Sequence, residues 1–343
     1  MSISINSSKR TDRSRWRNRA RVAASVVASA VAVGGLGVAN AAAATPTVLS
    51  YQTPSRLIQS TGNLYWTSNL YNPGSSTPYE SFVWRASKTN EPGQEIELFS
   101  QLRSKPGSFG DITYAQVAGN WYGYFVANYP KAGISRIERI GLTPTASAYI
   151  VKDNLPPIGQ NDLVTDGSYL YWADGSAIRK MPIAGGAIKV LASGANFSHV
   201  GLDATNVFYS AGSQIWSVPK SGGTATELVS APGTSISAMS VDDQYGYDEL
   251  IYGETNGSVT ERVYLSPTDV ELDVIEPPRA GITITSVTLQ EGTSPHWGEC
   301  SGSFCDIDGT TPTSGVPVDV QGDGNDIYWG AADLYSLSAV IIE

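Results

Sequence analysis

From about residue 47 onward the chain alternates short apolar runs with turn residues, and no stretch keeps the spacing of an amphipathic helix. Leu163-Val164-Thr165 is followed by Asp166-Gly167, Tyr169 to Ala173 by Asp174-Gly175, and Ala177 to Ile183 by Gly185-Gly186 before Ile188 to Leu191. Runs this short, rich in aromatic and β-branched residues and joined by Asp-Gly or Gly-Gly, predict strands in tight antiparallel hairpins.

The same order of runs returns at an offset of 37 residues without a gap. Asp166 matches Asp203, Tyr171-Trp172 matches Phe208-Tyr209, Gly175 matches Gly212, Ile178 matches Ile215, and Gly185-Gly186 matches Gly222-Gly223. Four antiparallel strands repeated every ~40 residues predict the blade of a β-propeller, all-β, with the mature chain as one ring. The aromatic pair serves as a ruler and recurs at Tyr65-Trp66, Tyr124-Phe125, Tyr171-Trp172, Phe208-Tyr209, Ile251-Tyr252, His296-Trp297 and Tyr328-Trp329. Seven units need about 43 residues each, the expected blade length, whereas six would need about 50, so seven blades are expected and six are the alternative. The unit at His296-Trp297 shows no clear fourth strand before Pro317. Little chain follows Leu337, so Thr47 to Tyr51 is expected to add a strand to the last blade and close the ring, removing exposed sheet edges.

Tyr169-Leu170-Tyr171-Trp172-Ala173-Asp174-Gly175 resembles the YWTD propeller repeat, as does Leu64-Tyr65-Trp66-Thr67-Ser68, and both resemble repeats of uncharacterised secreted bacterial propellers. The final Asp of that motif stands as Asp174, with Ser68 and Ala211 at the matching positions elsewhere. The resemblance implies the fold rather than one activity, because related propellers bind proteins, bind sugars or act as lyases.

Residues 1–44 read as a secretory signal peptide ahead of a single propeller domain, 45–343. Lys9 and six arginines from Arg10 to Arg21 precede the apolar, small-residue stretch Val22 to Val38, with cleavage expected near Ala42 to Thr45. Export as a soluble extracellular monomer, with no membrane contact after cleavage, is the expectation. Removing this segment takes away seven basic groups and Asp12, so 22 basic and 32 acidic residues become 15 and 31. That negative balance excludes nucleic acid as a partner and leaves an extracellular protein or carbohydrate.

Chemistry is sparse. Cys300 and Cys305 are the only cysteines and are expected to form a disulfide in an exported protein. A metal reading would instead recruit them with His296 and Asp306 or Asp308. Asp319 to Asp326 resembles a calcium loop, with Asp319 and Asp323 as candidate ligands, but Asp323-Gly324 also lies where the first hairpin turn of a blade belongs; no cofactor is expected, with calcium as the alternative. No nucleophile elbow, phosphate loop or dinucleotide fingerprint occurs.

The geometry of the repeat points to a ligand site all the same. Counting ten residues back from the ruler places Arg56, Asp162, His199 and Asp319 at equivalent starts of first strands, and allowing four inserted residues places Ala238 there in the fifth unit. Ringed round one axis, these side chains predict a mixed-charge channel mouth in which carboxylates raise the pKa of His199 and pair with Arg56. Tyr71 and Tyr79, in an insertion from Asn69 to Ser81 on the same face, are expected at its rim. The expected role is a binding module. The alternative is an extracellular lyase or glycosidase using carboxylates and His199, which would need two carboxyls ~5 to 10 Å apart.

Overall fold

The computed structural model describes residues 47–338 apart from 51, 53, 61, 72–74, 76–77, 90–92, 103–106, 144–146, 160–162, 243–247, 267–268, 290–294, 310, 314–315, 323–325 and 331–333. The signal segment expected at residues 1–44 lies outside the described residues. Every described element is a strand.

After β1 (Thr47–Ser50), the strands β2 (Arg56–Gln59), β3 (Asn63–Tyr71), β4 (Pro78–Ser87) and β5 (Ile96–Leu102) pair in chain order as a four-stranded antiparallel sheet. The next sheet repeats this with β6 (Ser108–Val117), β7 (Asn120–Tyr129), β8 (Ile134–Gly141) and β9 (Tyr149–Leu155). A seven-stranded sheet follows, made of β10 (Leu163–Thr165), β11 (Tyr169–Ala173), β12 (Gly175–Pro182), β13 (Lys189–Leu202), β14 (Asn206–Ala211), β15 (Gln214–Pro219) and β16 (Thr226–Ser230). Then come β17 (Ile236–Asp242), β18 (Asp248–Glu254), β19 (Val259–Ser266) and β20 (Asp269–Glu276), followed by β21 (Ile282–Thr288), β22 (His296–Ser301), β23 (Phe304–Ile307) and β24 (Thr311–Thr313). The last sheet holds β25 (Val318–Gly322), β26 (Asp326–Gly330) and β27 (Leu334–Ser338), with β1 added at its outer edge.

Two sequence expectations meet their answer here. Thr47–Ser50 does pair with the last strand, Thr47 facing Ser336 and Val48 facing Tyr335, so the two ends of the ring share one sheet. The unit at His296-Trp297, expected to lack its fourth strand, has one in β24, which pairs Cys305 with Thr313.

The first strands of the sheets, together with β13, make a closed circuit, β2 touching β6, β6 touching β10, and so on through β13, β17, β21 and β25 back to β2. The ruler aromatics explain why. Trp66, Tyr124, Tyr171, Trp172, Tyr328 and Trp329 are among the largest fully buried side chains, and all but Tyr171, which packs within the seven-stranded sheet, join one sheet to another. One cluster joins Tyr124 and Ile137 to Leu163 and Trp172, and another joins Leu49 of β1 to Leu57, Trp66 and Tyr328. Burying such a side chain contributes roughly 1.5–3 kcal/mol, so each sheet is held chiefly by its neighbours.

Candidate ligand site at the channel mouth

First strands of all the sheets enclose an axial cavity of about 260 Å³. Most of these strands carry a β-bulge, between Phe109 and Ile112, Ser198 and Val200, Ile236 and Ala238, Ile284 and Ser286, and Val318 and Gln321. A bulge re-aims the side chain beside it. His199 and Asp319 accordingly take left-handed backbone angles, φ of 48° and 46°, which for non-glycine residues cost of order 1–3 kcal/mol each.

Around the mouth the side chains stitch one strand to the next. Arg56 Nε donates to Asp111 Oδ1 at 3.1 Å, and both residues are almost fully buried. The other oxygen of Asp111 accepts the Leu163 amide at 3.0 Å, Asp319 accepts the Leu57 amide at 2.8 Å, and Ser286 Oγ accepts the Val320 amide at 2.8 Å. In each case the acceptor sits on one first strand and the donor on the next around the ring. Arg56 Nη1 also donates to its neighbour, the Ser55 carbonyl, at 2.7 Å.

Charge in this enclosure departs from bulk behaviour. Burial pushes the Asp319 carboxyl up to about 6; Arg56 pulls it down and Asp111 adds to the rise, while the Leu57 amide opposes it. For His199 the sequence led us to expect a raised pKa, and the structure reverses this. Burial pushes it down to about 4, and the positive Arg56 lowers it further. The ring nitrogen Nδ1 is wholly enclosed, so a charged imidazolium would lose its hydration there. His199 is therefore a neutral imidazole at pH 7.

Of the residues anticipated from sequence, Arg56, His199 and Asp319 lie on first strands, and Arg56 acts electrostatically on both of the others. Asp162 and Asp323 lie outside the described residues, as does the Tyr79 side chain. Tyr71 ends β3, half-exposed, and does not line the cavity. The expected insertion from Asn69 to Ser81 is shorter: the β3–β4 ladder continues through Asn69 opposite Ser81 to Tyr71 opposite Pro78. Asn69 is instead a staple, donating to Ser55 Oγ and the Phe109 carbonyl and accepting the Phe109 amide and the Ser81 hydroxyl.

Asp111 was missed by counting. Its hairpin is four residues longer than that of Arg56, the same insertion that was allowed for Ala238, and applying it to the second unit would have found the residue. The motif-ending acid was also undercounted. Glu254 and Glu299 stand where Asp174 stands, two residues after Tyr252 and Trp297. Glu299 is buried, forms a two-pronged ion pair with Arg279 and accepts the Trp297 indole at 2.7 Å. Asp174 pairs with Arg179 and accepts the Ala177 amide at 2.8 Å; burial raises its pKa, but these hydrogen bonds outweigh burial and hold it low.

Cys300 and Cys305 are bridged across the β22–β23 hairpin. The sulfurs are thus not available to the metal reading, and His296 Nδ1 lies 2.6 Å from Asp308, which also accepts the Trp297 amide. Among the described residues no group of three or more His, Cys, Asp or Glu is placed to hold a metal ion.

No protein-family model and no curated protein matches the sequence. Solved structures do match. Virginiamycin B lyase from Staphylococcus aureus superposes with a TM-score of 0.58 at 13% identity over 86% of this chain and 99% of its own. YCF48 from Cyanidioschyzon merolae gives 0.58 at 12% identity, again over 86% and 99%. The extracellular domain of a one component system from B. thetaiotaomicron gives 0.58 at 9% identity over 86% of this chain but 40% of that one. These are β-propeller proteins, and the likeness establishes the fold of this chain as all-β and propeller-like.

Proposed function

We propose that this chain is an exported seven-bladed propeller of the YWTD-like type that works as an extracellular binding module, taking a small ligand in the axial cavity beneath Arg56, Asp111, His199 and Asp319. The blade count treats the seven-stranded sheet as two blades sharing β13, whose residues 189–193 and Phe197 pair with β12 and whose residues 197–202 pair with β14. Binding is supported by one observation above the rest: Arg56 on β2, Asp111 on β6 and Asp319 on β25 line one cavity, with His199 on β13 near enough to Arg56 to feel its charge, and both Asp319 and His199 hold costly left-handed backbone angles. Extracellular domains among structures of the same fold are consistent with export, and cleavage between Ala42 and Thr45 would leave β1 intact.

Fragment screening of the cleaved protein by ligand-observed NMR tests this reading. His199→Ala and Asp319→Asn should each weaken a cavity ligand at least tenfold, about 1.4 kcal/mol. Unchanged affinity in both folded variants would move the site elsewhere.

An enzyme is the second reading, favoured by Asp319, which lines the cavity with a pKa near 6, and by a neutral His199, two groups able to accept a proton at pH 7. Against sugars as its substrates, no aromatic ring stands among the described residues that line the cavity. Turnover of a polysaccharide panel, abolished in Asp319→Asn, would favour this reading over simple binding.

A further inference from the structure

Resting on that reading of the cavity, we infer that its ligand is a small aliphatic amine whose ammonium group is received at the mouth by Asp319. The sign of the charge follows from who already holds whom. Arg56, the one cation among the described lining residues, has Nε on Asp111 and Nη1 on the Ser55 carbonyl, so its charge is committed within the protein. Two carboxylates, Asp111 and Asp319, face that single guanidinium, and His199 is uncharged at neutral pH. The mouth therefore keeps an excess of negative charge, held by Asp319 in surroundings that disfavour its ionised form. A cation entering the cavity restores the balance; an anion worsens it.

Size and lining narrow the class. About 260 Å³ admits a short chain and not an oligosaccharide. The wall below the mouth offers Ser240, Ser286, Thr288 and Gln321 among aliphatic side chains such as Val164 and Met239, and no aromatic ring among the described residues. That suits a flexible methylene chain with polar ends better than a planar ring or a quaternary ammonium group, which an aromatic cage would hold.

Four probes of one chain length separate the possibilities: putrescine, 4-aminobutan-1-ol, butane-1,4-diol and succinate, titrated calorimetrically into the cleaved wild-type protein at pH 7.5. The inference expects both amines to bind at least tenfold more tightly than the diol, and succinate least. It also expects amine binding at pH 6 to release a fraction of a proton, seen as a dependence of the heat on buffer ionisation enthalpy, because the ammonium ionises a carboxyl that is about half protonated there. Asp319→Asn should remove both the amine preference and the proton release. Because proton release is read on the wild type, the test survives a variant that folds poorly. Succinate or the diol binding as tightly as the amines, with sensitivity to Asp319→Asn, would overturn the amine while leaving the cavity as the site. Amine binding that ignores Asp319→Asn and releases no proton would place the amine elsewhere, and no binding by any probe up to 10 mM, roughly 3 kcal/mol of standard binding free energy, would overturn the inference outright.

Discussion

Asp319 and Leu57 lie 262 residues apart, and the carboxylate of the first accepts the amide of the second at 2.8 Å. This bond joins the last sheet to the first on the inner surface, while β1 against β27 joins the chain ends on the outer one. The ring is thus closed twice, at its axis and at its rim.

Asp319 and His199 push the stability of the ring in opposite directions over the same pH range. Asp319 has a folded pKa near 6 against an ordinary 3.8, so its contribution is full below about 4 and is lost as pH rises through 6. His199 has a folded pKa near 4 against 6.5, so its contribution is full above 6.5 and is lost as pH falls through 4. Shifts of about two units correspond to about 3 kcal/mol each, and in the wild type they largely cancel. Urea unfolding should therefore show a nearly flat stability from pH 4 to 6.5, a steep rise with pH in Asp319→Asn, and a fall with pH in His199→Gln. Parallel profiles for all three proteins would refute the opposition.

The Arg56–Asp111 pair predicts strong non-additivity. Both side chains are buried, so Arg56→Met strands a carboxylate and should cost about 3–5 kcal/mol, as should Asp111→Leu by stranding the guanidinium. The double variant replaces both charges with apolar groups and should be much less destabilised than the sum of the two. Additive losses in a denaturation cycle would mean that the two residues act independently.

How much of this was legible follows from what periodicity can carry. The strands and ruler aromatics recur because every blade solves the same packing problem, so the Asp166 to Leu191 unit and its copy could be read directly. Arg56, His199 and Asp319 were reachable because each lies ten residues before the second ruler residue of its unit, with or without a bulge. Asp111 was hidden by a longer hairpin. The direction of the His199 shift was hidden for another reason, since a sequence shows which charges can meet but not how dry the place is where they do.

Close approach of blades sets a further test at Gly253. The residue after the ruler pair is glycine in the later units, Gly253, Gly298 and Gly330, where the following element packs directly on the backbone. A methyl group at Gly253 would lie 2.5 Å from Cβ of the fully buried Ile284 on β21. Gly253→Ala should cost about 1–3 kcal/mol through overpacking, and Ile284→Ala, which removes both Cγ atoms that the new methyl would meet, should cost less in that background than in the wild type. Equal cost of Ile284→Ala in both backgrounds would show that the two positions are not in contact.

The outer closure makes the last prediction, because β1 brings Leu49 as well as a hydrogen-bonded edge. Leu49 is 3% exposed and packs with Leu57, Trp66 and Tyr328, so a strand from the chain start covers the seam between the first and last sheets. Leu49→Ala should cost about 2–5 kcal/mol, since the opposing tryptophan and tyrosine cannot collapse into the space without opening that seam. A protein beginning at Gln52 should lose at least as much, because it also exposes the edge of β27 that Val48 and Ser50 now occupy, and an open strand edge invites pairing between molecules. Chemical denaturation measures the first effect and light scattering at rising protein concentration the second. A Gln52-start protein as stable and as monodisperse as one starting at Ala42 would show that the ring does not depend on this strand for closure.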